Sequence, residues 1–363
     1  MKVLFIARRF PPSVGGMERF AKDLSGAIEH QIELSKITWG GSNKLLPLVL
    51  PWFFVKGFWR LLSNRDIKVI HMQDAVQAPI GWLLHVIFRK PYVVVAHGLD
   101  ITYNSKIYQI LILPFVGRAD AVISISSATG DEAIKRGTMP GKSHVITLGT
   151  HDDYGKVVPD REQLSQEISY VLEDRTLLLT TGRLVKRKGV EWFITNVLPQ
   201  LVKKDQNVLY LVAGDGVERD KINEAVTSNN MTDNVVLLGR VSDSVRSLLY
   251  QSCDVFVMPN IVVPGDMEGF GIVAHEAATA KLPVVASNLE GIADAIKNNK
   301  NGILVKSGDK EAFLRALDKL LKDRTYRKKF GEKAREFTLN EYSWENIANQ
   351  YIKVYQELVS KDV

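Results

Sequence analysis

The fold of this chain is decided around one stretch, Gly265-Asp266-Met267-Glu268-Gly269-Phe270-Gly271-Ile272-Val273-Ala274-His275-Glu276. It follows an apolar run that predicts a buried strand, and it opens a segment that predicts a helix. Two glycines flank Phe270, and glycine lets the backbone approach a ligand closely. The first amides of a helix lack intrahelical acceptors and favour an anion. On the residues alone, the stretch fits a phosphate cradle between Glu268 and Glu276, or an ordinary turn with two exposed glutamates.

Length and composition indicate a globular protein of two domains. The chain has 363 residues, 45% apolar and 24% charged, and each half is long enough for its own core. The one cysteine, Cys253, excludes an internal disulfide framework and is read as a small core side chain rather than a nucleophile. The first residues predict a strand instead of a secretory leader. The longest apolar run, 45–55, is too short to span a bilayer. We therefore expect a cytoplasmic protein, or one attached only to a membrane surface.

The positive charge is concentrated in the N-terminal half. Residues 1–160 contain 19 Lys and Arg against 13 Asp and Glu, whereas residues 161–363 contain 28 of each. This imbalance fits either chance or an anionic partner for that half. Segment 45–62 combines aromatic residues with Lys and Arg, which fits a core helix or a segment lying at a membrane interface. Peripheral contact with an anionic membrane is thus one expectation, and no nucleic-acid motif is found.

Short apolar runs alternate with helical stretches in both halves, which predicts two parallel sheets, each covered on both faces. A polar stretch, 149–159, is predicted to be the linker, and 344–359 predicts a long amphipathic helix. The predicted strands are 2–8, 32–39, 67–72, 92–96, 121–125 and 144–148 in the first half, and 177–180, 208–213, 235–238, 254–258, 284–286 and 302–305 in the second.

Several candidate site residues of the first half follow predicted strands. Gly15 and Gly16 end the loop after the first strand, His71 ends the third, and His97 and Asp100 follow the fourth. Ligands of parallel sheets bind beyond the carboxyl ends of the strands. These residues are therefore candidates for one edge of a binding site.

A series of motifs in a fixed order runs along nearly the whole chain. With these motifs the chain resembles the retaining glycosyltransferases of family GT4, which have the GT-B fold. It departs from the family in having Leu148 before Gly149, where Asn is usual, and Lys281 before Leu282-Pro283-Val284, where Gly is frequent. The motifs are Pro11-Pro12-Ser13-Val14-Gly15-Gly16-Met17-Glu18, Val69-Ile70-His71, His97-Gly98, Ile125-Ser126-Ser127-Ala128-Thr129, Gly182-Arg183-Leu184-Val185-Lys186-Arg187-Lys188-Gly189, Ala213-Gly214-Asp215-Gly216, Leu238-Gly239-Arg240-Val241, and the two glutamates 268 and 276 with seven residues between them.

The resemblance implies an α/β architecture of two doubly wound, Rossmann-like domains that face each other across a cleft. It places an acceptor domain at 1–157 and a nucleotide-sugar donor domain at 158–340. The C-terminal helix, 341–363, is expected to cross back to the N-terminal domain.

The resemblance also implies roles for the site residues. Arg183 and Lys188 would bind the donor diphosphate, Glu276 the nucleotide ribose, and Glu268 the sugar and its positively charged transition state. His97 would be the second catalytic residue beside Glu268, hydrogen-bonding the sugar or supporting developing charge, or it would serve the strand end structurally. The other donor-binding residues would be Gly16, Val241, Gly269, Phe270, Gly271, Ile272 and Val273, and the acceptor-binding residues Gly15, His71 and Asp100.

The resulting hypothesis is transfer of a hexose, of mannose or glucose type, from a nucleotide-diphosphate sugar to a glycan or lipid-linked acceptor in cell-envelope or polysaccharide biosynthesis. No Asp-x-Asp motif or His/Cys cluster with ligand spacing is found, so no metal or other cofactor is expected. Two alternatives stay open. A nucleotide-sugar epimerase on the same two-domain plan would release an epimerised donor without an acceptor, and a non-catalytic sugar-nucleotide-binding protein would bind without turnover.

Overall fold

The computed structural model describes residues 1–154, 159–172 and 174–361, apart from the side chains of Asn43 and Lys361. The chain divides into two units, one formed by Met1–Gly149 with Tyr342–Val363 and the other by Thr150–Glu341. The predicted domain boundary at 157/158 and part of the predicted linker 149–159 lie outside the described residues.

The first unit is built on a parallel sheet of six strands in the order β2-β1-β3-β4-β5-β6. The chain places β2 on one side of β1 and β3 on the other, so the strand order reverses between β1 and β3. The edge strand β6 is shorter than the predicted 144–148. The strands are β1 Lys2–Ala7, β2 Glu33–Thr38, β3 Ile67–Met72, β4 Tyr92–Ala96, β5 Ala121–Ser124 and β6 Ser143–Val145, and the helices are α1 Gly16–Glu29, α2 Leu46–Ser63, α3 Ala78–Phe88, α4 Leu99–Thr102, α5 Lys106–Leu111, α6 Leu113–Gly117 and α7 Ser127–Lys135.

The second unit has a parallel sheet in the order β12-β11-β10-β7-β8-β9. Its order reverses between β7 and β10. Cys253 is half-buried just before β10. The strands are β7 Thr176–Thr181, β8 Val208–Ala213, β9 Val235–Gly239, β10 Val255–Met258, β11 Val284–Asn288 and β12 Ile303–Lys306, and the helices are α8 Arg161–Ile168, α9 Val190–Asn196, α10 Leu198–Lys204, α11 Arg219–Ser228, α12 Asp243–Ser252, α13 Val273–Thr279, α14 Ile292–Ala295, α15 Lys310–Lys322 and α16 Arg324–Glu341.

Helix α16 is missing from the sequence prediction, because its many charged residues mask the apolar periodicity. Its inward face buries Phe330, Gly331 and Ala334. A Cβ at Gly331 would lie 1.9 Å from the carbonyl oxygen of Lys281, so only glycine allows the helix to pack this closely on the backbone after α13.

The last helix, α17 (Trp344–Lys361), belongs to the first unit, where it packs against α1 and β3. Tyr351 and Tyr355 are fully buried on its inward face. The hydroxyl of Tyr355 donates to Nδ1 of His71 at 2.8 Å. The hydroxyl of Tyr351 has no hydrogen-bond partner among the described residues. Among the helices of the same residues, none is long and apolar enough to cross a membrane.

These two tyrosines form a matched pair for measuring how α17 is held. Tyr355→Phe leaves the buried Nδ1 of His71 without its donor, and we expect the free energy of unfolding to fall by about 1–3 kcal/mol. Tyr351→Phe removes a buried hydroxyl that has no partner among the described residues, so it should be neutral or slightly stabilising. Urea unfolding of both variants checks the difference. Equal losses would show that the Tyr355–His71 bond contributes nothing specific.

Candidate functional site

Two turns meet at the edge of the second sheet where its strand order reverses. One follows β7 (182–189) and the other follows β10 (259–272). The amide of Ile261 donates to the carbonyl oxygen of Arg187 at 2.9 Å. Gly189 has φ +63°, and a Cβ there would lie 1.9 Å from the carbonyl oxygen of Pro259. In doubly wound sheets this crevice is the usual ligand site.

An ion pair between Lys188 and Glu268 joins these two turns. Lys188 Nζ lies 2.6 Å from Glu268 Oε2, and the Asn260 amide donates to the same oxygen at 3.1 Å. Glu268 is only 8% exposed. Burial by itself would raise the pKa of the Glu268 carboxyl. The charge and hydrogen bond of Lys188, together with the charge of Arg187 and the hydrogen bond of Asn260, outweigh it, and the pKa lies below its usual value. Glu268 is therefore ionised at neutral pH.

Arg187 also belongs to this cluster, although the sequence prediction omitted it. Its Nη1 donates to both oxygens of Asp266, at 2.8 and 3.1 Å, and its Nε lies 3.5 Å from Glu268 Oε2. Successive residues of the 3₁₀ turn Lys186–Lys188 point about 120° apart, so Lys186 is exposed while Arg187 is buried. In the sequence this turn is only a run of three basic residues, and nothing in it singles out Arg187.

The glycine-rich turn after β10 is held by the turn after β11. The Glu290 carboxylate accepts from the Glu268 amide, and the Gly291 amide donates to the Glu268 carbonyl oxygen at 3.1 Å. Phe270 is buried edge-on against His275, with ring centroids 5.1 Å apart. The side chain of Phe270 therefore serves the core, and only the backbone of Gly269 and Phe270 is left for the predicted donor contacts.

Gly271 starts a row of amides at the head of α13. Gly271 has φ +85°, and the N–H groups of Gly271, Ile272 and Val273 have no acceptor among the described residues. Helix α13 spans seven residues. The geometry leaves these three donors available to an anion.

Glu276 lies in the first turn of α13 and is oriented by Tyr250. The Tyr250 hydroxyl donates to Glu276 Oε2 at 2.8 Å and lies 2.8 Å from Thr181 Oγ1. The glutamate is half-buried, while Val241 is half-buried two residues past β9. Arg183, in the turn after β7, is exposed. Tyr250 was missed because no local pattern links it to a residue 26 positions away.

The first unit places Gly15 and Gly16 at the start of α1. A Cβ at Gly15 would meet Glu18 Oε2 at 2.3 Å, whereas a Cβ at Gly16 would meet nothing within 4 Å. Glu18 is buried and pairs with Arg9 Nη1 at 3.0 Å. Gly15 is thus packed against the side chain of Glu18, and Gly16 faces open space.

His97 is fixed at the end of β4 by the neighbouring loops. Its Nε2 lies 2.8 Å from the Gln73 carbonyl oxygen, which can only accept, so Nε2 carries the proton. Asp100 Oδ1 accepts from the His97 amide at 2.8 Å, and Oδ2 accepts from the Ala75 amide at 3.3 Å. Nδ1 of His97 has no partner among the described residues. His97 therefore offers a free acceptor nitrogen, whereas the Asp100 carboxylate is already occupied by backbone donors.

His71 has no exposed atom for an acceptor, contrary to the prediction. Its Nε2 donates to Gln73 Oε1 at 2.7 Å, its Nδ1 accepts from Tyr355, and its ring stacks on Phe5 at 4.5 Å. Burial lowers the pKa of His71 to about 4, so the ring is neutral. The motif residue therefore connects β3 to α17.

Among the second-unit candidates the structure brings Lys188 and Glu268 into direct contact, and in the first unit it places His97 beside α1, which begins at Gly16. His97 packs edge-on against Phe20 of α1, with centroids 5.4 Å apart. Among the described residues, no group of three or more His, Cys, Asp or Glu side chains is arranged to hold a metal ion.

Two family models match the chain, one in each half. Residues 161–337 match "Glycosyl transferases group 1". Residues 14–154 match "Glycosyltransferase Family 4". The two ranges leave only 1–13, 155–160 and 338–363 unmatched.

Relatives and solved structures agree with these matches. An uncharacterised glycosyltransferase of Methanocaldococcus jannaschii is 28% identical, with 98% of each chain covered. A GDP-mannose-dependent alpha-(1-6)-phosphatidylinositol monomannoside mannosyltransferase of Mycobacterium tuberculosis is 24% identical, with 96% of each covered. The crystal structure of Anabaena HepE in complex with UDP shares the fold, with a TM-score of 0.76 at 19% identity over 98% of this chain and 100% of that one. The two sheets, the motifs and both family models lead to one conclusion: the chain belongs to the family GT4 glycosyltransferases of GT-B fold.

Proposed function

We propose that this glycosyltransferase is a retaining hexosyltransferase. It moves a mannose- or glucose-type sugar from a nucleotide diphosphate to a glycan or lipid-linked acceptor in cell-envelope or polysaccharide biosynthesis. The observation that carries the proposal is the Lys188–Glu268 ion pair of 2.6 Å beside the free amides of Gly271, Ile272 and Val273. A cation, an ionised carboxylate and a row of donors then lie at one sheet edge.

The donor diphosphate is held by positive groups and amide donors. An ammonium has three N–H donors, so Lys188 keeps donors for a phosphate while it pairs with Glu268. Arg183 is exposed in the same turn and adds a planar fork of donors. Gly16, at the start of α1, is a further candidate for a backbone contact to the donor, because a Cβ there would meet nothing within 4 Å. These groups neutralise the diphosphate without a metal ion, which makes the proposed reaction metal-independent.

The nucleoside is bound by groups around α13. Glu276, held by Tyr250, accepts hydrogen bonds from the ribose hydroxyls. The backbone at Val241 contacts the base. A carboxylate oriented in advance loses less side-chain entropy when the ligand binds.

The reaction breaks the bond between the sugar C1 and the diphosphate oxygen and forms a bond from C1 to the acceptor oxygen. Negative charge grows on the leaving diphosphate, where Lys188 and the amides stabilise it. Positive charge grows on the sugar, where the ionised Glu268 stabilises it. The acceptor attacks from the face of departure, and its hydroxyl proton passes to the leaving phosphate oxygen. His97 Nδ1 accepts a hydrogen bond from a sugar hydroxyl.

The names of the relatives support the choice of sugar and acceptor. The Mycobacterium tuberculosis relative is named for a GDP-mannose donor and a phosphatidylinositol mannoside acceptor. The Anabaena HepE structure contains UDP. A nucleotide-diphosphate sugar as donor and a glycolipid as acceptor are therefore the first pair to test.

The decisive experiment incubates the pure protein with GDP-, UDP- and ADP-sugars and measures transfer or donor hydrolysis. We expect one donor to be turned over with retention of anomeric configuration, read by NMR, and with a rate that EDTA leaves unchanged. Glu276→Ala should raise the KM for the donor, since it removes the ribose contact. The absence of turnover by the wild type across the panel, or a wild type that matches Glu276→Ala, would contradict the proposal.

Lys188→Met should lower kcat/KM about 100- to 1,000-fold, because it removes one preorganised positive group from the leaving diphosphate. Lys186→Met is the matched control. It removes the same charge from the same turn, but Lys186 is exposed and has no ion pair among the described residues. Steady-state kinetics with the preferred donor compare the two. Similar losses in both variants would mean that the turn acts only through its net charge.

Tyr250→Phe should raise the donor KM several-fold with little change in kcat, because Glu276 loses the hydroxyl that orients it. Tyr210→Phe is the control, since the Tyr210 hydroxyl lies 2.6 Å from Thr180 on the same sheet and does not contact Glu276. Both variants should lose similar stability in thermal unfolding. An unchanged donor KM in Tyr250→Phe would show that Tyr250 does not orient Glu276 for donor binding.

A further inference from the structure

Helix α2 has two apolar stripes, whereas a helix at a protein surface needs one. The inward stripe, with Val49, Phe53 and Leu61, is buried in the core of the first unit beside Leu4 and Ile6. The outward stripe repeats at intervals of four and three residues, and its side chains are 40–72% exposed. It consists of Leu48, Trp52, Val55, Trp59 and Leu62.

Two further helices of the first unit continue this surface. Helix α3 packs on α2 through Phe58 and Phe88, whose ring centroids are 5.2 Å apart, and it exposes Leu83, Val86 and Ile87. Helix α5 is joined to α3 through α6, and its large exposed side chains are Ile107, Ile110 and Leu111. We call the outward apolar side chains of 48–62, 83–87 and 107–111 the apolar band. By contrast, the described part of the second unit exposes only Val171, Val217 and Val262 among large apolar residues.

Basic side chains accompany the apolar band. Lys56 and Arg60 flank the outward stripe of α2, Arg89 follows α3, and Lys106 begins α5. All four are exposed, and none has an ion pair with a described residue. Asp66 is the one exposed acidic residue among the described residues 46–111. The charge beside the band is therefore positive and unneutralised.

We propose that the apolar band docks the enzyme on an anionic lipid surface. Tryptophan rings beside Lys and Arg match the headgroup region, where apolar bodies enter the acyl boundary and charged heads meet anionic phosphates. A second protein copy fits less well, because protein interfaces are depleted in lysine. In this arrangement helix α2 lies along the lipid surface and does not enter the bilayer end-on, because its inward stripe is packed in the protein core.

The band also reaches the candidate acceptor residues of the first unit. The hydroxyl of Tyr108, on α5, donates to the carbonyl oxygen of Asp100 at 2.7 Å. Leu99 and Tyr103, on either side of Asp100, are exposed. Docking would therefore bring the loop after β4, with His97, to the lipid surface. This link to a lipid-linked acceptor rests on the proposed function, whereas the docking rests on the exposed faces alone.

Vesicle flotation of the full chain tests the docking. We expect the wild type to float with vesicles of phosphatidylglycerol and phosphatidylethanolamine at low salt, and to stay unbound with pure phosphatidylcholine. Trp52→Ser/Trp59→Ser should weaken binding at least tenfold. The control Val171→Ser/Val217→Ser, which changes exposed apolar residues of the second unit, should bind as the wild type does.

A charge pair tests the electrostatic part. Lys56→Gln/Arg60→Gln should weaken binding by about fivefold for each residue. Lys328→Gln/Lys329→Gln removes two exposed charges from α16 and should leave binding unchanged. Circular dichroism confirms that each variant is folded. If both double variants weakened vesicle binding equally, the attraction would depend only on the net charge of the protein. That result would contradict a specific docking surface.

Two results would overturn the docking proposal. One is the absence of flotation by the wild type at low salt. The other is a dimer in sedimentation that Trp52→Ser/Trp59→Ser dissociates, without any lipid binding, since the band would then be a contact between copies. Flotation needs no turnover, and donor hydrolysis needs no vesicles. A wild type that floats but does not turn over donor contradicts only the proposed function, and the reverse contradicts only the docking.

Discussion

The second unit depends on one buried charged group, the carboxylate of Glu268, at the point where the strand order of its sheet reverses. Glu268 is buried and ionised, and a buried carboxylate is costly unless cations and hydrogen bonds compensate it. Lys188 and Asn260 supply that compensation from the turns after β7 and β10, and Arg187 links Glu268 to Asp266. Because both turns contribute partners, neither can move without exposing an unpaired charge. The ion pair that holds the two turns together therefore also fixes the positions of Lys188 and Glu268.

In the first unit, neutral hydrogen bonds hold the two candidate histidines, His71 and His97. The peptide carbonyl of Gln73 holds His97, its side-chain carbonyl holds His71, and His71 in turn accepts from Tyr355. A residue near the end of the chain is therefore part of the support for a loop after the third strand. This explains why a histidine expected near an acceptor is a buried structural residue. Its burial keeps the ring neutral, so no charge needs compensation there.

The spacing of apolar residues and the residue types of the turns predicted the strands well, because buried parallel strands are short apolar runs between helices. They did not predict α16, whose charged exposed face hides its packing. For α2 they left a core helix and an interfacial segment open. The core reading is confirmed for one face of α2, and the interfacial reading stays a prediction. Its inward stripe is core, while its outward stripe is exposed, and a count of apolar residues does not separate the two faces.

The sequence by itself determined the two-sheet plan through local periodicity. Through the resemblance of its motifs it also indicated the family and predicted Glu268, Glu276, Arg183 and Lys188 as site residues. Only the tertiary structure decided which charges meet. Arg187 rather than Lys186 is buried, and Tyr250 reaches Glu276 across 26 residues. Side-chain direction in a short turn and contacts between distant strands depend on packing, and packing is not a local property of the chain.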